Sequence, residues 1–287
     1  MKPYHFALLG GDLSYSRSPE IFRTIFNQLG CEGRFDLCPT RPDHLGETLK
    51  DMVKNGVTGF SVTIPHKQAM IGHLDWSDDL VKATESVNSV AVIKGTLRGY
   101  NTDCYGFSFA LKKAGFEGCE RAVIIGSGGA ARAVVHTLAV DFGVRDFVLC
   151  GRHSEKLSYV KSIFKEQIQY ATVQTVTDLH EMGSHVTAKS ILVNCTPLGG
   201  PLFPEVSPVP PGLDWGAVSL YVDLNYNSNN QTVNVANEAG ASAIDGSSML
   251  VAQALKSMEL WTGVSVEYEP VYTQVFQSQH QPESDTR

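Results

Sequence analysis

The chain has 287 residues, 43% of them hydrophobic and 18% charged. That is enough apolar side chain for one large or two ordinary cores, and too little charge for a disordered chain. With 23 Lys and Arg against 30 Asp and Glu, the formal charge is −7, which argues against a nucleic-acid partner or an anionic membrane surface. No apolar run reaches the roughly 18–20 residues of a transmembrane helix, and the N-terminal run breaks at Gly10-Gly11, too soon for a signal peptide. The six cysteines make no CxxC pair and no zinc-finger spacing with histidine. No metal is expected, and the thiols read as reduced in a cytoplasmic protein.

Residues 4–10 form a short apolar run closed by glycines, hence a strand. Ile21, Phe22, Ile25, Phe26 and Leu29 have helical spacing over 18–30, with Ser18 expected as N-cap and Pro19 in the first turn. A second helix is expected over 43–55, a strand over Gly59–Pro65 and a short helix over 78–86. Residues 89–93 and 96–100 flank Lys94-Gly95 and read as a hairpin. From 103 the pattern changes. A helix over 104–114 is followed by strands at 121–125, 146–150, 173–176, 190–194 and 218–223, with helices near 130–141 and 154–165. That alternation predicts βαβ units and a parallel sheet. A long helix follows Gly246, with Met249, Leu250, Ala254, Leu255, Met258 and Trp261 on one stripe.

Arg121–Ile125 runs into Gly126-Ser127-Gly128-Gly129-Ala130-Ala131 and then a helix. Strand, Gly-x-Gly-x-x-Ala and helix in that order suit a dinucleotide. Gly126 permits the tight turn, Gly128 lets a pyrophosphate approach the backbone, and the helix N-terminus offers N–H groups to phosphate. A purely structural glycine turn is the competing reading. No Gly-Lys-Ser/Thr follows, so it is not a P-loop. The next strand ends Leu149-Cys150-Gly151-Arg152-His153, with no carboxylate for a ribose 2′-hydroxyl. Arg152, with Lys156 beyond it, suits a 2′-phosphate and favours NADP over NAD; alternatively Arg152 is a solvated surface charge.

Four polar clusters lie outside that segment. Ser16-Arg17-Ser18-Pro19 sets two hydroxyls before a helix N-terminus, a place for a carboxylate. Ser61 and Thr63 share a strand face, and Lys67 lies just past the strand end. Asn88 sits amid apolar residues. Asn101-Thr102-Asp103 falls at the expected domain boundary, where clefts form.

These clusters, with Val62–Lys67, Gly99–Asp103, Asn194-Cys195-Thr196, Asp223–Tyr226 and Gly246–Ala254, make the chain resemble the shikimate dehydrogenase family, also met as a domain of larger shikimate-pathway enzymes. The resemblance spans roughly residues 4–275. It implies an α/β fold with an N-terminal α/β substrate domain (1–103 plus 246–278) and a Rossmann-type NADP-binding domain (104–245). A cleft would lie between them and a disordered tail at 279–287. It further implies NADP-linked interconversion of 3-dehydroshikimate and shikimate, with Lys67 and Asp103 as the catalytic pair. Ser16 and Ser18 would hold the substrate carboxylate. Thr63, Lys67, Asn88, Asp103 and Gln253 would hold ring hydroxyls, with Tyr226 near the carboxylate or the ring. Gly126, Ser127, Gly128, Gly129, Ala130, Arg152, Thr196, Leu224 and Gly246 would line the cofactor. The implied partner is a small molecule, with the chain a monomer or homodimer.

Three positions depart from the family's pattern. Ser61 stands for a common asparagine, Pro197-Leu198-Gly199-Gly200 for serine-glycine-methionine, and Gly151-Arg152-His153 for asparagine-arginine-threonine. The first could relax ring recognition, the second alter the cofactor loop, and the third weaken NADP preference. A quinate or dual quinate/shikimate dehydrogenase, using NAD or NADP, is the nearest alternative. A non-catalytic metabolite sensor is a remoter one, since Lys67, Asp103 and Gln253 are all kept. The Ser-x-Ser and Gln253 motifs do not suit a folate-interconverting dehydrogenase.

Overall fold

A computed structural model describes residues 3–167, 172–227 and 229–277. The expected disordered tail, 279–287, lies outside the described residues. In chain order the elements begin β1 (Tyr4–Gly10), α1 (Ser18–Leu29), β2 (Gly33–Pro39), α2 (Leu45–Lys54), β3 (Gly59–Val62), β4 (Trp76–Ser77) and α3 (Asp79–Thr84). Then come β5 (Ser89–Ile93), β6 (Thr96–Tyr100), α4 (Thr102–Lys113), β7 (Arg121–Ile125), α5 (Gly129–Asp141), β8 (Asp146–Cys150) and α6 (Ser154–Gln167). The rest are β9 (Thr172–Val176), α7 (Leu179–His185), β10 (Ser190–Asn194), β11 (Val218–Asp223), α8 (Gln231–Glu238), β12 (Ala243–Ile244), α9 (Ser247–Thr262) and α10 (Tyr268–Tyr272).

The chain divides into two compact α/β units. One comprises residues 1–77, 87–102 and 251–287; the other comprises 78–86 and 103–250. The segment 78–86, expected with the first domain, thus clusters with the second. The reason is local: α3 packs on α5 and α6, and the Arg132 guanidinium donates to the Glu85 carbonyl at 3.1 Å.

The first unit is built on a mixed sheet of order β2-β1-β3-β5-β6-β4. β1 pairs parallel with β2 and β3, while β3, β5 and β6 form antiparallel pairs. The β5–β6 turn takes Lys94 and Gly95 at φ 52° and 82°, the two positive values a tight hairpin turn needs. α1 buries the stripe Ile21, Phe22, Ile25 and Phe26. Phe22 stacks on Trp261 of α9 at 5.5 Å, and Trp261 lies 4.8 Å from Phe6 of β1. Gly59 is glycine for steric reasons, because a Cβ there would enter the Trp261 indole. α1 begins differently from the sequence expectation. Ser18 is its first residue, Arg17 is the N-cap without a side-chain bond, and the Ser18 N–H donates to Ser16 Oγ at 3.2 Å. Ser16, not Ser18, therefore supplies the local acceptor. Arg17 instead bonds the Val275 carbonyl at 2.5 Å and lies over the Phe276 ring, tying the C-terminal segment to α1.

The second unit is a six-stranded sheet of order β12-β11-β10-β7-β8-β9, and every pairing in it is parallel. Read outward from β7, this is the doubly wound 3-2-1-4-5-6 order, whose switch point lies between β7 and β10. Strand alternation divides the core. Ala122, Ile124, Phe147, Leu149, Ile191 and Val193 join one cluster with α5 and α6. Val123, Ile125, Val148, Cys150 and Leu192 join another with Met182 and Ala236 from α7 and α8. Burial on both faces explains the unbroken apolar runs of these strands. Among the described residues, no helix is long and apolar enough to cross a membrane.

Candidate active site

Of the predicted residues of the first unit, Thr63 and Lys67 lie on the segment that leaves β3, beside the end of β1. Gly11 N–H donates to the Ile64 carbonyl at 2.8 Å, and Thr63 N–H to the Leu9 carbonyl at 2.9 Å. A Cβ on Gly10 would run into the Thr63 methyl, so glycine at this turn is what lets Thr63 lie against the end of β1. Past the cis Ile64–Pro65 bond, His66 is buried and engages the Thr40 carbonyl at 2.8 Å, which anchors the segment leading to Lys67. The Lys67 carbonyl accepts the Val87 N–H at 2.9 Å, and the Asn88 carbonyl accepts the Val62 N–H at 2.8 Å. Thus Thr63, Lys67 and Asn88 are held together by main-chain bonds. Thr63 and Lys67 are partly exposed.

Asn88 enters a buried polar network. Its Oδ1 accepts the Thr102 N–H at 2.6 Å. Its Nδ2 donates to Thr102 Oγ1 at 2.9 Å and to Gln253 Oε1 at 3.3 Å. Thr102 Oγ1 also lies 3.1 Å from Ser257 Oγ. The predicted residues Asn88 and Gln253 are thereby brought together directly, in a network that also holds two residues absent from the predicted set. Thr102 stood within the quoted Asn-Thr-Asp motif. Ser257 had only its position four residues after Gln253 to single it out.

In the second unit the C-terminal ends of five neighbouring strands, β12, β11, β10, β7 and β8, carry the predicted cofactor residues and Tyr226. Gly126 follows β7 at φ 120°, and a Cβ there would lie 3.3 Å from the Cys195 main chain. Gly128 is the N-cap of α5; it is exposed, and a Cβ there would meet nothing within 4 Å. One glycine is thus demanded by the fold, while the other leaves a bare main chain at a helix N-terminus. Ser127, Gly129 and Ala130 are partly exposed around it. Arg152 is exposed just beyond β8 and makes no ion pair among the described residues. The geometry fits a dinucleotide, with open backbone for the pyrophosphate and an uncommitted guanidinium for a further phosphate.

After β10 and β11 lies a network in which Thr196 is held by Asn194, Asp223 and Asn225, three residues outside the candidate set. The buried Asp223 carboxylate accepts from Asn194 Nδ2 (3.1 Å), Asn225 N (3.0 Å), Asn225 Nδ2 (2.8 Å) and the Tyr221 hydroxyl (2.8 Å). Asn194 Oδ1 accepts from the Thr196 N–H at 3.0 Å and its hydroxyl at 2.7 Å. Asn225 Nδ2 also bonds the Thr196 and Leu198 carbonyls at 3.0 and 3.1 Å. The Pro197–Gly200 loop, divergent in sequence, is pinned by these amides. Gly246 abuts Leu224 so closely that a Cβ would strike its main chain, which brings two more predicted positions together. Tyr226 follows in the same unit, partly exposed.

Asp103 is buried in the first turn of α4, where the helix dipole favours a carboxylate. Burial, reinforced by Asp223 and Asp103, pushes the Cys195 thiol well up, so it stays protonated and is no nucleophile. Burial likewise raises Cys104 and Cys150 to about 12. Among the described residues, no group of three or more His, Cys, Asp or Glu could hold a metal.

Residues 8–90 match the family model for the shikimate dehydrogenase substrate binding domain. An NADP(+) shikimate dehydrogenase of Caldanaerobacter subterraneus is 32% identical over 278 residues, covering 94% of this chain and 95% of that one. A crystal structure of shikimate dehydrogenase 1 from Peptoclostridium difficile superposes with TM-score 0.85 at 26% identity, covering 96% and 98% of the two chains. The Thermus thermophilus shikimate 5-dehydrogenase in complex with NADP(H) and shikimate gives TM-score 0.80 at 28% identity, covering 95% and 98%.

Proposed function

The chain belongs to the shikimate dehydrogenase family, and from that premise we propose that it interconverts 3-dehydroshikimate and shikimate with NADP(H). What supports this reading is a buried amide and hydroxyl network at Asn88, Thr102 and Gln253 in the first unit and, in the second, an NADP-type strand end at Arg152. A ring bearing several hydroxyls needs convergent amides and hydroxyls to be told from its analogues. A cofactor bearing a 2′-phosphate needs a cation where an NAD enzyme puts a carboxylate.

Gly126, Ser127, Gly128, Gly129 and Ala130 take the pyrophosphate, and Arg152 the 2′-phosphate. Thr196, Leu224 and Gly246 line the cofactor. Hydride comes from the dihydronicotinamide when the cofactor is bound. Ser16 and Ser18 donate to the substrate carboxylate, while Thr63, Asn88 and Gln253 orient the ring. Tyr226 lies by the carboxylate or the ring. As the ketone carbon is reduced, negative charge grows on its oxygen. Lys67 meets that charge with its ammonium and gives up a proton. Asp103 balances and orients the lysine. In the reverse direction Lys67 takes the hydroxyl proton. The substrate is a small molecule, and the place of reaction is the cytoplasm.

Initial rates with shikimate and quinate, each paired with NADP+ and NAD+, test the assignment. Shikimate with NADP+ should be the fastest combination. A higher kcat/KM for quinate would replace the reading with a quinate dehydrogenase, and Ser61 would be the first residue to examine.

A further inference from the structure

One buried hydroxyl beside the substrate residues has no part in the reaction just described. Ser257 is fully buried on α9, one turn after Gln253 and one turn before Trp261. With Trp261 seated on Gly59 and Phe6, this stripe lies on the sheet of the first unit. The one side-chain partner of Ser257 among the described residues is Thr102 Oγ1, at 3.1 Å.

The direction of the hydrogen bonds follows from counting donors. Asn88 Oδ1 is held by the Thr102 main-chain N–H at 2.6 Å, so the Asn88 carboxamide cannot flip. Its Nδ2 then faces Thr102 Oγ1 at 2.9 Å, and Thr102 Oγ1 is an acceptor. A buried hydroxyl proton needs an acceptor, and among the described residues Thr102 Oγ1 is the one hydrogen-bond partner that Ser257 Oγ has. Thr102 in turn has Gln253 Oε1 at 3.4 Å and Asn88 Oδ1 at 3.2 Å for its own proton. The chain of donors therefore runs from Ser257 to Thr102 and on to a carboxamide oxygen. Reversing the first bond would leave the Ser257 proton buried without an acceptor.

We propose that Ser257 is a positioning residue for substrate. Its hydroxyl, donated to Thr102 Oγ1, keeps the Thr102 proton directed at a carboxamide oxygen and so helps hold the Gln253 carboxamide with Oε1 inward, while the Asn88 carboxamide is already set by the Thr102 main-chain N–H. This rests on the reading of Asn88 and Gln253 as ring-binding residues. Ser257 touches no reacting atom, so its contribution is uniform through the reaction and belongs in KM rather than kcat.

The test measures steady-state rates with shikimate, NADP+ affinity and melting temperature for Ser257→Ala, Thr102→Val, the double variant and Asn88→Ala. Ser257→Ala should raise the KM for shikimate about two- to tenfold, the worth of one net hydrogen bond, with kcat and NADP+ affinity within about twofold of the parent. In the Thr102→Val background the same change should be silent, because its only route is gone. Ser257→Cys, similar in volume and a weak donor, should fall between parent and Ala, and it stands in if the alanine variant does not fold. An unchanged KM in Ser257→Ala, a fall in kcat alone, or effects that add in the double variant would each overturn the proposal. If Asn88→Ala and Thr102→Val also leave KM untouched, it is the substrate-site reading that fails. If they raise KM and Ser257→Ala does not, only the role of Ser257 falls.

Discussion

Gly126 packs against Cys195 so closely that a Cβ would stand 3.3 Å from the cysteine's main-chain carbon and oxygen, whereas two residues later Gly128 faces open space. Two glycines of one motif therefore do different work. Gly126 also carries φ 120°, a conformation that side chains rarely adopt. Gly126→Ala should destabilise the protein by about 1–3 kcal/mol, the range for overpacking a tight site, and lower its melting temperature. Gly128→Ala should leave stability within about 0.5 kcal/mol and weaken NADP+ about tenfold, by hindering one charge-assisted hydrogen bond. Paired thermal melts and cofactor titrations check both. Equal loss of stability in the two variants would erase the distinction.

The Rossmann-type unit was legible because its strands are buried on both faces. β7, β8, β10 and β11 read as continuous apolar runs, and their observed limits coincide with the expected ones. β2 escaped notice for the opposite reason. As the edge strand of its sheet it sets Arg34, Asp36 and Cys38 on one face and Phe35, Leu37 and Pro39 on the other, with no unbroken apolar run, and it is largely solvated. β4 and β12 have two residues each, too few for any period to show. In the site, residue types with an evident chemical task could be picked out from motifs. The supporting hydrogen bonds could not. Asp223 and Asn225 lie within one sequence motif, yet that Asp223 fixes Asn225, which in turn bonds the Thr196 and Leu198 carbonyls, is a matter of three dimensions. The tie between Arg132 and Glu85 likewise joins residues far apart in sequence.

Arg152 should decide cofactor choice. It is exposed beyond β8, where a carboxylate would instead favour a ribose hydroxyl. Arg152→Asp removes a phosphate partner and adds repulsion. NADP+ affinity should fall by about 1.5–3 kcal/mol, the value of charged hydrogen bonds, while NAD+ affinity holds or improves. Calorimetric titration of both dinucleotides reads this directly. Unchanged NADP+ binding would make Arg152 a surface charge and nothing more.

His136 on α5 gives a pH dependence. Burial, opposed by Asp141, lowers its pKa below the ordinary 6.5, and its Nδ1 is buried without a partner. As pH falls through 6.5 the unfolded chain takes up this proton before the folded one does. The stability it contributes is thus complete above about pH 6.5 and is lost as pH falls through the lower folded value. Melting temperatures from pH 7.5 down to pH 5 should decline less steeply in His136→Phe than in the parent. Parallel curves would remove His136 as a contributor.

The proposed mechanism rests on Lys67. On that proposal its ammonium meets a neutral ketone in the ground state and a developing alkoxide in the transition state, so its contribution would be differential and would appear in turnover. Lys67→Ala should lower kcat by about 10²–10⁴-fold, the usual share of a general acid, with only a modest change in shikimate affinity. Lys67→His should recover a little activity, since a proton donor is restored. Asp103→Asn should also be severely impaired, since on the proposed mechanism the carboxylate is what balances the ammonium. If Lys67 served only to hydrogen-bond a ring hydroxyl, the loss would fall on binding instead. Single-turnover rates and shikimate dissociation constants for Lys67→Ala separate the two roles. Near-normal turnover with poor binding would return the lysine to the substrate-binding set and leave the proton donor to be sought elsewhere.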